Sequence, residues 1–143
     1  MRRTLPVLLT GLILMNSSQA GNGIHTPEAG SAERRQVLDA VRAPLEKKLG
    51  QDVRFDVEQM KVGDGWGFLY ARMQDADGGR IDYAKTPLAD AAKEGYASPV
   101  YVALLQRAGG HWELRAEAIG PTDLAWADWS SKYGAPQALF EGD

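Results

Sequence analysis

The chain of 143 residues contains no cysteine. That excludes a disulfide framework, a thiolate nucleophile and any cysteine-based zinc or iron–sulfur site. Histidine is almost as scarce: the two copies, His25 and His111, stand in no spacing with carboxylates that suggests a metal site, and none is expected. Positive charge is not in excess either. With 16 Lys+Arg against 19 Asp+Glu the formal net charge is −3, which argues against the basic face of a general nucleic-acid binder. Ser17, Ser18, Ser31, Ser98, Ser130 and Ser131 lie in no G-x-S-x-G context. No phosphate loop is present, and Gly63-x-Gly65-x-Gly67 opens a strand rather than a helix, the wrong setting for a phosphate. No cofactor is therefore expected.

Long apolar runs are also missing, apart from one near the start. Arg2 and Arg3 precede Leu5–Met15, and Asn16-Ser17-Ser18-Gln19-Ala20 ends with small residues at the −3 and −1 positions of a cut after Ala20. This is the three-part pattern of a secretory signal peptide over 1–20, and the run is too short for the ~20 residues that span a bilayer. The expectation is a periplasmic or secreted protein with no membrane anchor after cleavage. The Arg2-Arg3 pair is compatible with general or twin-arginine export. Cleavage would remove two arginines and no acid, so 14 basic against 19 acidic residues leave a net of −5.

Residues 21–30 have turn composition and no apolar period, and are read as a flexible leader to a single domain over 31–143. Ser31 can cap a helix whose stripe is Val37, Leu38, Val41, Leu45 and Leu49, with Gly50 as its stop and Pro44 expected to kink or split it after Ala43. Val53, Phe55 and Val57 alternate with charged residues as in a strand. A three-residue loop with left-handed Gly65 would then oppose Val62 to Trp66, Met60 to Phe68 and Glu58 to Tyr70, placing Phe55, Val57, Leu69, Ala71 and Met73 on the buried face.

Asp75–Gly79 reads as a turn, for which a calcium loop is the weaker alternative because its glycine comes too soon. Arg80–Tyr83 reads as a short strand, and Thr86-Pro87 starts a short helix to Lys93. Strands over 100–107 and 112–119 meet at Gly109-Gly110, opposing Leu105 to Leu114, Ala103 to Ala116 and Tyr101 to Ala118. After Gly120-Pro121, a last helix is expected to carry Trp126, Trp129 and Tyr133 on one stripe. The sum is an α+β fold: a curved antiparallel sheet of four to five strands built from hairpins, with helices packed on one face.

The leading helix, the hairpins, the phrase Gly109-Gly110-His111-Trp112-Glu113-Leu114 and the ending Ile119-Gly120-Pro121-Thr122-Asp123-Leu124-Ala125-Trp126 resemble small exported bacterial domains of the cystatin-like and NTF2-like kind. The resemblance implies a fold and no specific chemistry.

Trp66, Phe68, Tyr70 and Arg72 share a strand face opposite the one assigned to the core. Such a face is either covered by another element or left open as a binding surface, since aromatics and arginine are enriched at interfaces. The expected function is thus that of an exported, non-catalytic binding protein. It would engage a protein partner in the cell envelope, in the manner of an inhibitor or immunity protein, through this aromatic face or through hairpin loops. The alternative is a small-ligand binder with a pocket between the sheet and the first helix. An enzyme would have to draw on Asp75, Asp77, Asp82 or Tyr83.

Overall fold

A computed structural model describes residues 23–142, so the segment 1–20 read as a signal peptide lies outside the described residues. Helix α1 (Ala32–Leu49) begins where Ser31 Oγ accepts the amide of Arg34 at 3.1 Å and ends at Gly50, whose φ of 64° makes the left-handed turn. Val37, Val41, Leu45 and Leu49 recur every four residues and are all buried. The split expected at Pro44 does not occur: the helix runs through it, with the ring on the exposed side. There the acceptor left without an amide partner can turn to water, so the break is avoided.

Four strands follow: β1 (Arg54–Gly63), β2 (Trp66–Gln74), β3 (Val100–Ala108) and β4 (His111–Ile119). They form one antiparallel sheet in the order β1-β2-β3-β4. The fold is α+β, with α1 packed on one sheet face. Between β2 and β3 the chain makes α2 (Ala89–Lys93), preceded by Thr86, whose hydroxyl accepts the amide of Leu88 at 3.1 Å. Of the strand expected at Arg80–Tyr83 only one bridge forms, between Arg80 and Gln74.

The two hairpin registers differ from those expected. The first turn has two residues, Asp64 and Gly65, with φ of 55° and 83°, so Gly63 pairs with Trp66 and Lys61 with Phe68. Two consecutive positive φ angles match the strand twist better than a looser three-residue loop does. A bulge between Val57 and Gln59 then inserts Glu58. It brings Phe55 and Val57 to the same side as Met60 and Val62, facing α1 with Leu69, Ala71 and Met73. In the second hairpin Leu105 pairs with Leu114 as expected, but a bulge at Arg115 shifts the rest, so Ala103 meets Glu117 and Tyr101 meets Ile119.

Both sheet faces are covered. Under α1 lie Met60, Leu69, Met73, Tyr101, Ala103 and Leu105, all nearly inaccessible. The opposite face is closed by the end of the chain, through α3 (Trp129–Tyr133) and a 3-10 turn over Gln137–Phe140. The long final helix is not formed: residues 125–128 make turns, so Trp126 precedes α3 instead of lying on it. Burying Phe68 or Leu139 in this second layer contributes about 1.5–3 kcal/mol each.

The stretch read as a leader is held against the sheet from Gly23 onward. His25 and Val62 exchange both backbone hydrogen bonds at 2.8 Å, and His25 Nε2 lies 2.8 Å from Glu33 on α1. Among the described residues no helix is long and apolar enough to cross a membrane.

Candidate functional site

The four aromatic-face residues divide into an interior pair and a rim pair. Trp66 and Phe68 are 8% and 1% exposed, packed with Trp129 and Leu139. Phe68 meets Phe140 edge-on at 4.9 Å between ring centroids. The covering element is the C-terminal segment, whereas α1 lies on the other face. Tyr70 is half-buried and meets Trp126 edge-on at 5.5 Å. Arg72 is exposed, with its guanidinium 3.9 Å from Glu58. Strand alternation along β2 thus runs from the interior at Trp66 to solvent at Arg72.

At the rim the aromatic face opens into a groove lined by Tyr70, Ser98, Val100, Pro121, Leu124 and Trp126, with a volume of about 550 Å³. Its wall is fixed by the backbone. Ser98 N–H donates to the Gly120 carbonyl at 3.1 Å, Gly120 N–H to Val100 at 2.8 Å, and the Ser98 hydroxyl to Pro121. Gly120 adopts φ 67°, and a Cβ there would lie 2.9 Å from the Tyr83 hydroxyl, so only glycine fits. Leu124, at 68% exposure, stands out from the groove edge as one of two large apolar residues so exposed among the described residues.

A second cleft lies between α1 and the sheet. It is lined by Lys48, Leu49, Pro87, Leu88, Glu117 and Ile119, with a volume of about 410 Å³. Glu117 accepts the hydroxyl of fully buried Tyr101 at 2.7 Å through one carboxylate oxygen and pairs with Lys48 through the other. Sequence reasoning missed this cluster. Plain alternation from Leu114 sends Glu117 to the far face; the bulge at Arg115 returns it to the α1 side. A charged residue amid Ala116, Ala118 and Ile119 is the only signal that could have raised it.

Two phenols in the interior stay protonated. Burial pushes Tyr83 up to about 12, and its hydroxyl donates to the Ser98 carbonyl at 2.5 Å. Tyr101 is raised further by burial, then by the negative charge of Glu117 and the hydrogen bond it gives to that group. Two of the acids considered for catalysis, Asp75 and Asp82, carry structural hydrogen bonds. Asp75 accepts the amides of Asp77 and Gly79 at 2.9 and 2.8 Å, an Asx turn, and Asp82 accepts that of Ala84 at 2.8 Å. His111 lies on the surface 3.5 Å from Glu113. Among the described residues no group of three or more metal-ligating side chains converges.

No family model, curated protein or solved structure matches this chain.

Proposed function

We propose that this is an exported, non-catalytic binding protein that engages a protein partner in the cell envelope through the Tyr70–Trp126–Leu124 groove, with Arg72 beside it. The reading rests on one observation: a large aliphatic side chain, Leu124, projects at 68% exposure beside a half-buried tyrosine–tryptophan pair. Apolar surface of this kind with an arginine alongside has the composition of an interface centre. The covered Trp66 and Phe68 serve as the rigid backing of that surface. An acidic chain, −5 after loss of residues 1–20, favours basic partners through long-range attraction.

The test is quantitative capture from envelope extracts with the wild-type chain and with Leu124→Asp. A charge placed on an apolar contact should remove a specifically retained protein at least tenfold. Equal retention by both chains removes the groove from the account.

A second reading is favoured by a different observation. The cleft between α1 and β4 is predominantly apolar yet carries an ion pair, the composition of a small-ligand site with one orienting polar group.

A further inference from the structure

We propose that the α1–β4 cleft is a site for a small primary alkylamine in its ammonium form, with Glu117 as the recognising carboxylate and Lys48 as a tethered cation that the ligand displaces. The inference rests on the reading of this cleft as a small-ligand site and names the ligand class. Three observations carry it. First, the pair is unequal in exposure: the Glu117 side chain is 12% exposed and that of Lys48 is 52% exposed. The acid is therefore built into the wall, whereas the base reaches it from solvent on a flexible four-carbon stem in the last turn of α1. Second, Glu117 is held from behind by Tyr101, which is 0% exposed, so removing Lys48 would leave the carboxylate fixed in place. Third, the remaining walls, Leu49, Pro87, Leu88 and Ile119, offer an aliphatic chain what the lysine stem itself seeks.

The charge balance decides the sign of the ligand. A sequestered carboxylate needs a cation beside it, and the two candidates are the tethered ammonium of Lys48 and a free one. An entering carboxylate would meet Glu117 at close range and lose more than Lys48 could return. Exchange of one ammonium for another leaves the charge of the site unchanged. The aliphatic body of the free amine then adds burial that Lys48, half in solvent, forgoes.

The purified chain is titrated with hexylammonium, hexanoate and hexanol while the amide signals of Leu49, Leu88 and Ile119 are followed by NMR. Hexylammonium is expected to move these signals with at least tenfold higher affinity than either other probe. Glu117→Gln is expected to abolish that preference, and Lys48→Met to tighten hexylammonium binding severalfold by removing the tethered competitor. Should Glu117→Gln fail to fold, the Lys48→Met result decides, because the proposal requires a gain there. Binding of hexanol or hexanoate at least as tight as hexylammonium overturns the inference and leaves the cleft as a small-ligand site. Silence of the cleft toward all three probes overturns both. Weaker hexylammonium binding by Lys48→Met also overturns the displacement proposed here.

Discussion

Gly63 shows how one absent methyl group holds a segment in place. A Cβ there would lie 2.7 Å from the Gly23 carbonyl oxygen and the Ile24 Cα, both backbone atoms that cannot step aside alone. Gly63→Ala should destabilise the fold by about 1–3 kcal/mol, as overpacking does. It should also speed amide exchange at His25 and Val62, whose mutual hydrogen bonds depend on that approach. Unchanged exchange at both amides would show that residues 23–25 are not held there. His25 makes the same contact dependent on pH. Its pKa is raised, first by the hydrogen bond to Glu33, then by that to the Gly23 carbonyl. A raised folded-state pKa means the contribution is complete below the ordinary value of 6.5 and disappears as pH rises through the raised one. Both side chains are more than a third exposed, so the effect is small, on the order of 0.5 kcal/mol. Thermal melts from pH 5 to 9 should show it, and Glu33→Gln should flatten that difference.

Among the elements, α1 and the four strands are the most legible in the sequence, because each carries a periodic apolar face next to an unambiguous stop. What alternation cannot reveal is a bulge. Glu58 and Arg115 each add a residue that breaks the period of two, and each sits within an otherwise regular run. The first bulge reconciled Val57 with Met60 on one face; the second carried Glu117 to the α1 side and created the cluster with Tyr101. The C-terminal segment was legible in its residues and not in its shape. Trp126, Trp129 and Tyr133 all pack on the sheet, yet only α3 is helical, since packing on a sheet face needs no continuous helix. This segment is the cover of Phe68, and the prediction follows from that. Leu139→Ala, at a side chain with no exposure, should cost about 2–5 kcal/mol in chemical denaturation. Loss below 1 kcal/mol would mean the segment is not seated on the sheet.

The described residues form a single sheet with apolar layers on both sides, and the strands are shared by both. Neither layer can be lost without exposing apolar residues of the same strands, so unfolding should be one cooperative event. Tryptophan fluorescence, which reports on Trp66 beneath the C-terminal cover, on Trp126 and Trp129 within it and on Trp112 under α1, should follow the same melting curve as far-UV circular dichroism. An early fluorescence transition would place the cover in a separate unit. Cooperative closure also restricts where a partner can bind. With Trp66 and Phe68 sealed, what remains of the aromatic face is the groove at Tyr70, Trp126 and Leu124. The most direct measurement is site-specific photo-crosslinking of the full-length chain in cells, with the reactive group at position 124 and, for comparison, at position 110 in the β3–β4 turn. A discrete adduct from position 124 and none from position 110 is the predicted result. Adducts from position 110 alone, or from neither, would contradict the account.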